Sequence, residues 1–490
     1  MRPSSLSGLL KALVLLMVAQ LAFAETIPDR VTEGKLSPEQ VLDSVARHYP
    51  RILQRVAEIN QAEARLLGAE GAFDLVFEAN SFHWAEGFYD GQNVEASASR
   101  YLNAQGGAQV YGGYKLSDGD FPIYEDKRFT NTAGQLNLGV LYSLLRDREI
   151  DPRRFGITDA GLAVQGARFD LLLTRLGIAQ KAMVAYWRWV ALGQKREVYR
   201  ELLSIAEKRN DGLAKEVEQG ARARIVLTES LQNITQRKAL LAKSDRDVAM
   251  AANELALFYR DAEGQPLFVT DANMPDYRPQ PGSPDKNYEL QNLNRLYSVR
   301  PELRKLRNSI TRAMRRIELN ENALLPRLDL NLGVYQPLGN VAEGGISRDD
   351  TDVIVGLQFS VPLERRKARG KLAENRAKLN ALKQQERLME DRIQVEVRNI
   401  LVDLKTAEDL LRLARNEVDQ ARALREAELR RFIKGASDYF LVNIRENTAA
   451  EAEIRYFLAG LQREIAQVNF DAATANLDSL GISDALLDGN

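Results

Sequence analysis

Two long zones of this chain, residues 153–265 and 363–490, contain no proline. A proline inside a helix costs about 3 kcal/mol, so both zones permit helices far longer than those of an ordinary globular domain. Periodicity supplies the positive signal. Ile393, Val397, Ile400, Leu404, Ala407, Leu411, Ala414 and Val418 alternate steps of four and three, which is the seam of a coiled coil. Leu172, Leu176, Ala179, Met183, Tyr186 and Val190 repeat the pattern, as do Ile454, Leu458, Leu461, Ile465, Val468 and Ala472. A helix from just after Pro362 to about Lys434, some 70 residues long, would measure roughly 105 Å. Gly435 then interrupts it and a second helix returns; Gly220 plays the same part in the earlier zone.

Short strands precede each helical zone. Four segments are expected to be extended: 73–82, 135–141, 328–335 and 353–361. In the third, Leu328, Leu330, Leu332 and Val334 share one face, and Asp329, Asn331 and Gly333 the other. In the fourth, Val353, Val355, Leu357, Phe359 and Val361 oppose Gly356, Gln358 and Ser360. Such alternation fits a strand with one apolar and one wet face, in a sandwich or in a membrane barrel whose wet face lines water. The links 85–131 and 336–352 are rich in glycine and read as surface loops. The first holds Tyr89, Tyr101, Tyr111, Tyr114 and Phe121.

The two halves repeat. His48-Tyr49-Pro50-Arg51-Ile52-Leu53 resembles Val299-Arg300-Pro301-Glu302-Leu303. Each is followed by a helix, a strand-loop-strand, a proline at the strand exit (Pro152 and Pro362) and a pair of long helices. The expected organisation is a first repeat over 25–265, a proline-rich connector over 266–287, a second repeat over 288–480 and a tail over 481–490. An internal repeat of this kind determines the architecture.

Residues 1–24 have the makeup of a secretory signal: Arg2 and Lys11, an apolar core over 12–21, and Ala22-Phe23-Ala24 as the cleavage site. A membrane anchor is the alternative reading, for which the apolar core is short of the ~20 residues a spanning helix needs. The chain has no cysteine, which excludes disulfides, thiol catalysis and cysteine metal sites. His48 and His83 are its only histidines. Lysine and arginine number 67 against 68 acids, so no charge bias points to nucleic acid. No nucleophile motif, phosphate loop or metal spacing is present. Neither a cofactor nor a metal is expected, and the chain does not read as an enzyme.

The arrangement resembles the TolC family of outer-membrane efflux and secretion channels. The residues that carry the likeness are Phe359-Ser360-Val361-Pro362-Leu363 with its charged continuation over 364–379, the strand start Ala323-Leu324-Leu325-Pro326-Arg327-Leu328, and the turn Lys434-Gly435-Ala436-Ser437. It covers residues 36–480, and the ordered duplication is its most specific part. The resemblance implies an α+β membrane protein, a homotrimer in which each protomer gives four strands to a shared β-barrel and its coiled-coil helices to a periplasmic tunnel. It implies as partners the outer-membrane lipid, a periplasmic adaptor (membrane fusion) protein and an inner-membrane efflux pump or ABC exporter.

By that resemblance Gly220, Ala221, Gly435 and Ala436 are candidate adaptor-docking tips. Some members carry paired aspartates just beyond the tip glycine, ringing the periplasmic entrance. Here the equivalent places hold Leu441 and Ile444. The nearby polar residues are therefore the candidate gate, acting through arginine–carboxylate pairs: Arg222, Arg224, Thr228 and Glu229 in the first half, Asp438, Asn443, Arg445 and Glu446 in the second. Phe77, Phe82, Trp84 and Tyr89 are candidates for an interfacial aromatic belt, while Trp187 and Trp189 read as packing residues. A periplasmic coiled-coil scaffold or adaptor shares the signal and the heptads, but does not need matched pairs of two-faced strands. A periplasmic hydrolase is a third class, without a recognisable catalytic constellation.

Overall fold

The computed structural model describes residues 34–104, 106–122, 128–280, 282, 293–341 and 350–482. The expected signal peptide lies outside the described residues, as do most of the C-terminal tail and part of the connector. In chain order the elements are α1 (Pro38–His48), α2 (Pro50–Glu70), β1 (Val76–His83), β2 (Gln92–Tyr101), β3 (Gln109–Asp118), β4 (Gln135–Ser143), α3 (Pro152–Glu218), α4 (Arg224–Ala256), α5 (Leu293–Val299), α6 (Pro301–Asn322), β5 (Arg327–Pro337), β6 (Asp352–Ser360), α7 (Arg366–Ile433) and α8 (Tyr439–Ala473). The repeat is visible at once. Pro50 and Pro301 each begin the helix that leads to strands, and helices of 67 and 68 residues follow them.

The chain forms two compact units, each drawing on both repeats. One contains the sheet, α2, α5 and α6, and the adjoining stretches of α3, α7 and α8. The other contains α1, α4, the connector and the remaining stretches of α3, α7 and α8.

The sheet corrects the sequence reading. Among the described residues six strands, not four, form one antiparallel meander in the order β1-β2-β3-β4-β5-β6. The two missed strands, β2 and β3, lie in the stretch expected to be a loop. Their signal was weak for a physical reason. In β2 the alternation is carried by Ala96 and Ala98 against Ser97 and Ser99, residues with little strand preference. In β3 the pair Gly112-Gly113 resembles a turn. The register aligns the faces across the whole sheet: Leu328, Leu330, Leu332 and Val334 stand opposite Phe359, Leu357, Val355 and Val353. Leu138 and Val140 continue that apolar face on β4. The other face carries Asn137, Asp329, Asn331 and Gln358. There Tyr111 of β3 crosses Gly139 and donates a hydrogen bond to Asn331 Oδ1 at 3.0 Å. A Cβ at Gly139 would stand 2.3 Å from the Tyr111 ring, so glycine makes room for the crossing. Of the four belt candidates only Phe77 lies on the apolar face. Phe82 has the opposite parity, with the Arg128 guanidinium 4.0 Å above its ring.

The strand-to-helix junction is built locally. Asp151 accepts from the backbone N–H groups of Arg153 and Arg154 at 2.8 and 3.1 Å, and Pro152 occupies the first helical position. This is a side-chain cap plus a residue whose missing N–H costs nothing there.

The expected seams of α3 and α7 are the buried ones. Leu172, Leu176, Ala179, Met183, Tyr186 and Val190 are all buried, and so are Ile393, Val397, Leu404, Ala407, Leu411, Ala414 and Val418, with Ile400 half-buried. The seam expected in α8 is buried only in part: Ile454 and Val468 are buried, but Leu458 is exposed, and Ala449, Ala450, Ala452, Phe457 and Ala459 are buried as well. The reason is that α8 packs on two sides. Ala450, Ile454 and Phe457 meet Val198 and Leu202 of α3, while Ala449, Ala452 and Ala459 meet Leu411, Ala414, Val418 and Ala421 of α7. A helix with two buried faces has no single heptad.

The connector packs between α3 and α8. The Tyr277 ring lies 4.9 Å from that of Trp187, and its hydroxyl donates to Glu464 Oε1 at 2.8 Å. Burial pushes the Tyr277 hydroxyl pKa up. Pro279 sits directly on Gly460, where a Cβ would come within 2.3 Å of its ring. Gly460→Leu is therefore expected to lift the connector off α8, read as faster chymotryptic cleavage after Tyr277 than in the unaltered protein. Equal cleavage rates would show that the contact does not hold the connector.

Candidate functional site at the helix turns

The turns between α3 and α4 and between α7 and α8 are copies of one motif. Gly220 has φ of 70° and Gly435 of 73°. Ala221 N donates to Glu216 O at 2.8 Å and Gly220 N to Val217 O at 3.1 Å. In the second turn Ala436 N donates to Arg431 O at 2.9 Å and Gly435 N to Phe432 O at 3.0 Å. This is the paired 6→1 and 5→2 closure of a helix by a left-handed residue. A Cβ on either glycine would meet nothing within 4 Å. Backbone conformation, not crowding, demands glycine here.

Arg222 brings the two turns together. Its Nε lies 2.5 Å from Glu216 Oε2, and its guanidinium stands 4.9 Å from the ring centre of Phe432. Beside the turns the side chains of Ile225, Ile433 and Phe440 are exposed. Asp438 is the N-cap of α8, its Oδ1 accepting from Leu441 N at 2.7 Å. Ser437 donates to Glu428 Oε1 at 2.5 Å. Arg224, Thr228 and Glu229 are exposed on the first turns of α4. Arg445 is half-buried, and its Nε has no hydrogen-bond partner.

Two of the eight gate candidates, Asn443 and Glu446, meet in a buried cluster. With Asn447 they occupy positions three and four apart, hence one face of α8. Glu446 is only 3% exposed. Arg209 of α3 forks onto it, with Nη1 to Oε2 at 2.8 Å and Nη2 to Oε1. Arg237 of α4 donates to Asn443 Oδ1 at 2.6 Å, Asn447 Oδ1 at 3.2 Å, Glu446 Oε2 at 3.3 Å and the Leu202 carbonyl at 2.7 Å. Burial pushes the pKa of Arg237 down, opposed by Glu446. An arginine nonetheless stays charged, so the cluster holds two cations on one carboxylate and joins three helices. Sequence reasoning missed Arg209 and Arg237 because each reads as one more solvated charge on a charged helix. The spacing of Asn443, Glu446 and Asn447 was the available signal.

Among the described residues no helix is long and apolar enough to cross a membrane, and no group of three histidine, aspartate or glutamate side chains is arranged to hold a metal. Residues 292–476 match the sequence profile of the outer membrane efflux protein family. Comparison with curated proteins by sequence returned no match. The fold is shared with solved outer-membrane channels. The Campylobacter jejuni channel CmeC superposes with a TM-score of 0.60 at 13% identity, over 91% of this chain and 86% of that one. VceC of Vibrio cholerae gives 0.60 at 14% identity, over 91% and 96%. The open state of the MtrE channel of Neisseria gonorrhoeae gives 0.60 at 14% identity, over 89% and 88%.

Removing the shared carboxylate strands two buried cations. Glu446→Gln is expected to destabilise the protein by about 3–5 kcal/mol, whereas Arg455→Ala, which breaks the exposed pair with Glu417, costs under about 1 kcal/mol. Denaturant midpoints of the two variants measure the difference. Similar small shifts would mean that the cluster is well hydrated.

Proposed function

We infer that this chain, which carries the outer membrane efflux protein signature over residues 292–476, is a channel of the outer membrane whose long helices form a tunnel in the periplasm. One observation carries the reading. The six-stranded sheet is apolar along one face and largely polar along the other, and among the described residues nothing covers the apolar face. Val353 is 70% exposed and Leu357 68%. A soluble protein rarely leaves so continuous a patch in water. A barrel wall in lipid requires it.

Six strands do not close a membrane barrel, since the smallest have about eight. Strand edges are not tolerated in hydrocarbon, so β1 and β6 must pair with other copies. With an even number of strands per protomer, β6 of one copy runs antiparallel to β1 of the next. The family resemblance selects three copies. The channel does no chemistry; it receives cargo from an inner-membrane pump through a periplasmic adaptor.

The turns at Gly220 and Gly435 are the adaptor's docking points, where exposed Ile225, Ile433 and Phe440 supply apolar contact. The cluster of Arg209, Arg237, Asn443 and Glu446 works behind them as a latch. It holds α8 of one repeat against α3 and α4 of the other, and a channel that opens by parting helix ends has to release such a tie. Arg222, seated on Phe432, is the second tie. The scaffold reading shares the helices but leaves the apolar face of the sheet without a purpose.

Extraction and sizing test the channel. The mature protein is expected in the outer-membrane fraction, released only by detergent, with a detergent-corrected mass of three copies. Release by osmotic shock as a monomer or dimer would overturn it. Docking is tested separately: Gly220→Trp with Gly435→Trp is expected to abolish crosslinking to the adaptor while the trimer persists. Crosslinking at the unaltered level would remove the turns from the interface.

A further inference from the structure

Among the described residues the hairpin β2–β3 has no counterpart in the second repeat, where β5 pairs directly with β6. We propose that this hairpin is part of the membrane wall, so that three copies close an eighteen-stranded barrel with a wide, polar lumen. The proposal rests on the reading of the chain as a trimeric outer-membrane channel.

The ladder is the first support. Residues of β2 pair with β1 from Val76↔Ser99 to His83↔Gln92, and with β3 from Gln92↔Asp118 to Tyr101↔Gln109. Residues of β3 pair in turn with β4 from Gln109↔Leu141 to Lys115↔Gln135. The hairpin is thus inserted between β1 and β4 as full-width sheet. Strands β2 and β3 are each 10 residues long, within the ~9–11 that a tilted strand needs to span the hydrocarbon.

The faces are the second support. Through the register, Val94, Ala96 and Ala98 of β2 stand opposite Leu116, Tyr114 and Gly112 of β3. The latter two stand opposite Leu136 and Leu138 of β4, on the apolar face. The opposite parity holds Asn93, Glu95, Ser97 and Ser99, with Glu95 directly across from Lys115. Both charges are therefore on the wet face. Two other charges have apolar parity, Arg100 and Asp118, and both lie at strand ends. Arg100 Nε donates to the Phe73 carbonyl at 2.9 Å, and Asp118 accepts from Gln92 Nε2 at 3.3 Å.

The turns are the third support. The β2–β3 turn lies at the end of the sheet that leads into the helices: Gly106 N donates to Arg148 O at 2.8 Å, and Ser143 N to Gly106 O at 3.2 Å. Outer-membrane barrels have their short turns on the periplasmic side. Barrel diameter grows roughly linearly with strand number. Eighteen strands instead of twelve widen the barrel about 1.5-fold and its cross-section about twofold. The inward residues that β2 adds, Asn93, Glu95, Ser97 and Ser99, are polar, and a wide polar lumen suits a bulky hydrated cargo better than a small lipophilic one.

The chain has no cysteine, so single cysteines report cleanly. Ala96→Cys, Ser97→Cys, Ala98→Cys and Ser99→Cys probe the hairpin; Asn331→Cys and Leu332→Cys probe β5 as the reference wall. The probes are a charged, water-soluble maleimide and, on fluorophore-labelled trimers in liposomes, a nitroxide carried on the lipid chain. Positions 97, 99 and 331 are expected to react with the maleimide several-fold faster, and positions 96, 98 and 332 to be quenched by the nitroxide. If β5 alternates but positions 96–99 react alike, the hairpin lies outside the bilayer and the proposal falls while the channel stands. Absence of alternation in β5 as well would overturn both.

Discussion

A strand in hydrocarbon has no water to receive its N–H and C=O groups. In the channel proposed for this chain, the rest of the molecule is arranged around that constraint. Each repeat supplies strands that are apolar on one face, and the meander pairs them edge to edge from β1 to β6. What remains unpaired is one edge at each end. In the proposed channel a single copy has no means of closing them, so further copies are needed. Beyond β4 and β6 the chain enters helices, which satisfy their backbone groups internally. Asp151 and Pro152 start the helix that follows β4.

The helices face a different problem. They sit in water and carry charge throughout, so their cohesion comes from narrow seams of small and branched residues. In α7 one seam suffices. In α8 two neighbours compete for the surface, and alanines at 449, 450, 452 and 459 let both approach. The connector adds a further layer over Gly193 and Gly460, two places where the missing side chain admits Met274 and Pro279.

The turns combine stiffness with weak attachment. Their backbone closure is complete and identical in both repeats, yet nothing packs on the two glycines themselves. The ionic contacts lie elsewhere, at the buried carboxylate of Glu446 between two arginines. Such a cluster adds little net stability but is sensitive to the removal of any member, which is what the proposed latch needs.

Much of this was legible in the sequence. The absence of proline and the period of 3.5 determined α3 and α7 and the residues that bury, because those signals are local and repeat over many turns. The duplication, the four strands with strong alternation and the glycine turns were determined in the same way. The tertiary structure alone decided three things. It decided β2 and β3, because alanine against serine is a faint alternation until Ala96 and Ala98 are set in register beside Tyr114 and Gly112. It decided the buried faces of α8, because two neighbours claim it and a single period describes neither. It also decided the Arg209–Glu446–Arg237 cluster. Its residues come from three helices, and no local pattern distinguishes an arginine that will meet a buried carboxylate from one that will meet water.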